Sequence, residues 1–202
     1  EDKELLETSL LKELNLLQMN VKSINAAEYQ RRLLLGSSTG QVKFYDYEHL
    51  RFDSECENAE DDKKYNNDEV VRMCPLGHMD VAFVTHDSGR ARFMIIPPCG
   101  LKNNTFCHIT NILHKDDMDI PSCMISYTYD EERYMLYIGD IFGYVNCFDI
   151  KPIKTCIDQT NGVITEQTMQ LFDKVNVNKI FTVQANKEPV KHIFRPELKP
   201  SV

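Results

Sequence analysis

No run of apolar residues in this 202-residue chain approaches the ~20 needed to cross a bilayer; runs such as Phe93-Met94-Ile95-Ile96 are strand-sized. There is no basic stripe with interleaved aromatics. A formal charge of −8 and a pI of about 5.3 argue against a partner held through phosphates. Neither nucleic acid nor a membrane is therefore an expected partner. No signal peptide is visible. The chain opens on Glu1-Asp2-Lys3 and closes on Pro200-Ser201-Val202, so it is expected to be a piece of a longer protein. The seven cysteines, at 56, 74, 99, 107, 123, 147 and 156, include no CxxC pair. An odd, scattered set points to reduced thiols and a cytoplasmic setting, with Cys123 and Cys147 as small buried hydrophobes.

Catalytic motifs are missing as well. The chain has no GxSxG elbow, GxxxxGK[ST] loop, HExxH pair or GxGxxG turn. Gly36-Ser37-Ser38-Thr39-Gly40 lacks the lysine of a phosphate cradle and leads into a strand, so it reads as a hairpin turn. His86-Asp87-Ser88 has the residue types of a triad, but three adjacent residues cannot converge on one atom, and Asp-Ser-Gly is good turn chemistry. Asp53, Glu55 and Glu57 lack the glycine of a calcium loop, and His114 with Asp116, Asp117 and Asp119 reads as a solvated loop. Cys107-His108 has no second pair at zinc spacing. No catalytic residue, metal site or cofactor is expected, and the chain is not expected to be an enzyme.

What is present is ordinary globular composition, 42% hydrophobic and 27% charged, arranged as β structure after an N-terminal helix. Leu6, Leu10, Leu14 and Leu17, with Leu11 beside them, make one apolar face over residues 1–18, opposite Glu4, Glu7, Lys12 and Glu13. This predicts a short helix packed on its own domain. From Val21 on, short runs of Val, Ile, Phe and Tyr are cut by Gly, Asp and Asn. Three hairpins turn at Gly40, Gly89 and Gly143, where a tight turn needs φ > 0.

Alignment on those glycines exposes a repeat. Val21-Lys22-Ser23-Ile24, Val70-Val71-Arg72-Met73 and Ser122-Cys123-Met124-Ile125 precede the hairpins by 19, 19 and 21 residues. The excess in the third is assigned to a longer turn at Asp130-Glu131-Glu132. A fourth copy begins at Val190-Lys191-His192-Ile193, close to Val21–Ile24. The units, 49, 52 and 68 residues long, carry two insertions: the acidic stretch 53–69 and the polar stretch 151–179. Both are expected on the surface.

This organisation resembles the WD40 repeat family, whose blades have four antiparallel strands with the third ending in Trp-Asp or a similar dipeptide. Tyr45-Asp46 and Phe148-Asp149 occupy that position here, with Met94-Ile95 in the second unit; the family's Gly-His dipeptide has only a remnant at Ala185-Asn186. The resemblance covers residues 20–195. It implies an all-β fold, a WD40-type β-propeller segment of about three to four four-stranded antiparallel blades with a short N-terminal helix. The implied division is helix 1–19, blades 20–69, 70–120 and 121–184, and the start of another at 185–202. It also implies a non-catalytic scaffold binding other proteins in a multi-subunit assembly. Phe181-Thr182-Val183-Gln184-Ala185-Asn186-Lys187-Glu188-Pro189-Val190-Lys191-His192-Ile193 is similar to blade junctions in the large WD-repeat proteins of ciliary and flagellar axonemes. That similarity implies tubulin or axonemal proteins as partners, with the acidic loop 53–69 turned away from tubulin. A cytoplasmic regulatory or trafficking adaptor for peptide motifs is the alternative.

Overall fold

In a computed structural model of the chain, residues 2–17, 19–52, 67–96, 106–107, 114–115, 118–121, 124–159, 171–172 and 175–194 are described. Helix α1 spans Asp2–Leu17. It is followed by three four-stranded antiparallel sheets, each with its strands in chain order. The first is β1 (Val21–Ala27), β2 (Arg32–Ser37), β3 (Val42–Asp46) and β4 (Arg51–Phe52). The second is β5 (Val70–Pro75), β6 (Val81–His86), β7 (Ala91–Ile95) and β8 (Phe106–Cys107). A two-stranded ribbon follows, β9 (His114–Lys115) with β10 (Met118–Pro121). The third sheet is β11 (Met124–Asp130), β12 (Met135–Asp140), β13 (Tyr144–Asp149) and β14 (Asn178–Gln184), with helix α2 (Lys151–Asp158) between its last two strands. The acidic cluster Asp53, Glu55 and Glu57 lies outside the described residues, as do Cys123 and most of the 53–69 insertion.

The predicted hairpins form at the predicted glycines. Gly40, Gly89 and Gly143 have φ of 83°, 84° and 85°, a region that costs any side chain. The three sheets share one more irregularity: a register shift just inside the first strand, between Val21 and Ser23, Val70 and Arg72, and Met124 and Ser126. This bulge fixes the alignment and corrects the sequence reading of the third unit. Met124, not Ser122, pairs as Val21 and Val70 do, so the distance to the turn glycine is 19 residues in all three. No longer turn exists there, since four residues join β1 to β2 and four join β11 to β12.

The cores lie between sheets. Leu34, Val42 and Phe44 of the first sheet pack with Met73, Ala82, Val84 and Met94 of the second. The opposite face of the second sheet, with Phe83, Ala91 and Phe93, packs with Leu136, Ile138 and Phe148 of the third. Period-2 alternation of side chains makes this possible: β6 and β7 feed one core with odd positions and the other with even ones. Tyr45 and Phe148, at the dipeptide positions, are both fully buried. Their aspartates start turns: Asp46 Oδ1 accepts from the backbone N–H of Glu48 and His49, and Asp149 Oδ1 from Lys151.

The stretch 151–179 is not confined to the surface. Ile153, Cys156 and Ile157 of α2, with Phe172 and Val177, are buried in the second core. Their i, i+3, i+4 spacing gives α2 an apolar stripe inside a segment of polar average composition. Helix α1 packs on its own domain, as expected. Its Ser9 Oγ donates to the Leu50 carbonyl at 3.1 Å and accepts from the Tyr45 hydroxyl at 2.9 Å. Leu6 and Leu10 are half-buried, whereas Leu5 and Leu11 are exposed.

Candidate interaction surfaces

The residues that invited a chemical reading resolve into turns. In the first hairpin, Ser37 Oγ accepts from the N–H groups of Thr39 and Gln41 at 3.2 and 3.0 Å. In the third, Asp140 Oδ1 accepts from Phe142 and Tyr144, both at 2.9 Å. His86 holds the equivalent place in the second hairpin and makes a different bond, its Nδ1 lying 2.8 Å from the Asp68 carbonyl. Asp68 takes over the turn, accepting from Ser88 N at 2.9 Å and from Ser88 Oγ at 2.5 Å. Ser88 is thus bound to Asp68 rather than to His86, and no nucleophile–base pair forms. Burial, and then the guanidinium of Arg92, push the His86 imidazole down to about 4.

His114, Cys107 and Asp119 lie in short strands whose side chains fall outside the description, as do Asp116, Asp117 and His108 entirely. Among the described residues, no three His, Cys, Asp or Glu side chains gather as a metal's ligands would. Among the same residues, no helix is long and apolar enough to cross a membrane. Cys147, inside β13 as the sequence suggested, is a buried free thiol, and burial raises its pKa.

Two polar groupings escaped the sequence reading. On the first strands of the sheets, Asn25 Nδ2 donates to the Met73 carbonyl at 2.7 Å and to the Tyr127 hydroxyl at 2.6 Å. The same hydroxyl donates to the Met73 carbonyl at 2.7 Å, and burial above all pushes the phenol up to about 12. One contact therefore joins β1, β5 and β11, which brings the three innermost strands together.

The second grouping is a rim made by the turns after those strands. Gln30 Nε2 donates to the Met79 carbonyl at 3.2 Å and to Asp80 Oδ1 at 2.9 Å, tying the first turn to the second. His78 N donates to Glu131 Oε1 at 3.2 Å, tying the second to the third. The exposed Tyr29 ring lies 3.6 Å, centroid to centroid, from the ring of His78. Overlaying the repeats at equal offset places Tyr29 and His78 at the same turn position, a signal the sequence carried. Chemically, the rim offers an aromatic face beside carboxylates on a backbone locked by three turns, which suits docking of another protein.

No family model and no curated protein matches the chain. Solved structures do. The computationally designed protein Ika8 matches over 87% of this chain and 40% of its own, with a TM-score of 0.50 and 10% identity. The designed protein Ika4 matches over 88% and 81%, with a TM-score of 0.51 and 9% identity. The Cps50 (Swd1) beta-propeller domain of Myceliophteria thermophila matches over 86% and 45%, with a TM-score of 0.49 and 12% identity. The chain thus spans about 40% of the length of the first of these. Identities this low speak of fold alone. With three chain-ordered four-stranded sheets stacked face to face, their first strands joined at Asn25, Met73 and Tyr127, the chain has a propeller-type fold.

Proposed function

We propose that this chain belongs to a non-catalytic WD-repeat scaffold that holds other proteins in a multi-subunit assembly, and that the assembly is the ciliary or flagellar axoneme. The rim carries this reading. Its three turns are tied to one another by Gln30 and Glu131, and exposed Tyr29 stands on that fixed frame. A rigid aromatic anchor loses little entropy on binding, the property that makes such residues interface hot spots. The aromatic-Asp dipeptides Tyr45-Asp46 and Phe148-Asp149 support the WD-repeat label, and the junction at 181–193 supports the axonemal setting.

The test is affinity capture from ciliary extract with the full chain and with the double variant Tyr29→Ala, His78→Ala. Axonemal proteins are expected with the parent and are lost with the variant, while the circular dichroism of the two agrees. Equal recovery by both chains would remove the rim from the binding surface. Recovery of trafficking proteins in place of axonemal ones would favour the adaptor reading.

A further inference from the structure

The outer margin of the third sheet presents a long strand edge to solvent. Among the described residues, β4 and β8 pair with their neighbours at two positions each, whereas β14 pairs with β13 at six. No described strand lies along the other edge of β14. Ala185 N donates to the Gly143 carbonyl at 2.9 Å, continuing the ladder in which Gln184 pairs with Tyr144 and Val183 with Val145. Bonded and non-bonded pairs alternate along an antiparallel ladder. The backbone groups of Phe181 and Val183 therefore turn toward β13, and the N–H and C=O of Thr182 and Gln184 turn outward. Both of these residues are exposed.

Such an edge is a template for another strand, and folded chains ordinarily blunt it with lysine, proline or a bulge. A bulge stands at the start of β14, beside Lys179, where Cys147 pairs with Phe181 but Phe148 with Lys179. From there the sequence Ile180-Phe181-Thr182-Val183-Gln184 contains neither charge nor proline. Ile180, Phe181 and Val183 are 51%, 45% and 50% exposed. Phe181 and Val183 share one face of the sheet. Thr182 lies on the other, its Oγ1 donating to Asn146 Oδ1 at 2.7 Å.

We infer that β14 pairs antiparallel with β14 of a second copy of this chain, about a two-fold axis at Thr182. In that register the edge is its own complement. The two Thr182 residues meet through their outward N–H and C=O groups and exchange two backbone hydrogen bonds. Phe181 of each copy faces Val183 of the other at a non-bonded position, where side chains come closest. Aromatic against β-branched and threonine against threonine are favourable cross-strand pairs. A register centred on Phe181 would instead set Lys179 against Val183. Because both copies use the same edge, the contact closes on itself and stops at a dimer.

Sedimentation equilibrium of the full chain over a series of concentrations is expected to reach twice the monomer mass. Thr182→Pro removes the outward N–H at the centre of the contact, at a place where an edge strand tolerates proline, and should weaken the dimer at least about tenfold. The register is read by charge. Phe181→Lys alone and Val183→Glu alone each set a charge against an apolar side chain and should weaken the dimer. Combined in one chain, they set the lysine of one copy against the glutamate of the other and should restore the dimer to within about threefold of the parent. The circular dichroism of all these chains is expected to agree. A parent that stays monomeric at every concentration would overturn the inference. So would a dimer that Thr182→Pro leaves at full strength, or a double variant that associates no more tightly than either single one.

Discussion

Protonation of His86 is expected to loosen the fold in a defined window of pH. The ring is fully buried at the end of β6, its Nδ1 facing the Asp68 carbonyl and Arg92 nearby. Burial first, and then Arg92, depress the folded-state pKa, and the pull of Asp68 in the other direction is too weak to restore it. Above pH 6.5 both folded and unfolded chains carry a neutral imidazole, so the site's contribution is complete. As pH falls, the unfolded chain takes up its proton first and stability drains away, until the folded site also titrates. A pKa lowered from 6.5 to about 4, at 1.36 kcal/mol per unit, corresponds to a loss of about 3 kcal/mol. The chain contains no Trp, so urea unfolding is best followed by far-ultraviolet circular dichroism across that window. His86→Asn keeps a donor for the Asp68 carbonyl and cannot titrate. The difference in unfolding free energy between parent and variant should shrink by about 3 kcal/mol from neutral pH to pH 4. Parallel stability curves for the two proteins would refute the reasoning.

Four further outcomes follow from the packing. Gly36→Ala, which forces a Cβ to 2.5 Å from Ser23 Oγ and close to Val70, should cost about 1–3 kcal/mol in a urea titration. Phe148→Ala, deleting a fully buried ring from the second core, should cost about 3–5 kcal/mol by the same measurement. Asp46→Asn should also destabilise, because Arg32, 3.2 Å away and nearly buried, would lose its counter-charge; breaking such a pair costs about 3–5 kcal/mol. Burial alone would raise the Asp46 pKa, but His49, Arg32 and the Glu48 amide hold it below the usual value, so its contribution is full near neutrality and fades as pH falls through the carboxylate range. A proton titration of Asp46 followed by NMR should show that lowered value, and an ordinary one would contradict the geometry.

How much of this was legible beforehand depended on whether the signal was local. The hairpins were, because a turn needing φ near 84° leaves glycine as the cheap choice at 40, 89 and 143. The start of the third sheet was placed two residues early, since Ser122-Cys123 looks like strand and only pairing of Met124 with Asp140 reveals the bulge that sets register. Helix α2 was hidden by averaging: the segment is polar overall, while the three side chains that matter, Ile153, Cys156 and Ile157, lie on one stripe. Asn25 and Tyr127 meet across 102 residues of sequence, and no local pattern announces such a bond. The rim was half-legible, because equal offset places Tyr29 over His78 but gives no hint of Glu131 as their neighbour.

The placing of both cores between sheets has a consequence for how the molecule comes apart. Among the described residues, both hydrophobic clusters lie between sheets, so each sheet borrows stability from the neighbour across the seam. The middle sheet borrows twice and lends twice. Unfolding should therefore begin at the flanks and reach β6 last, making the central hairpin the slowest to exchange its amides. A lesion there would loosen both seams at once, whereas one in an outer sheet would leave the opposite seam standing.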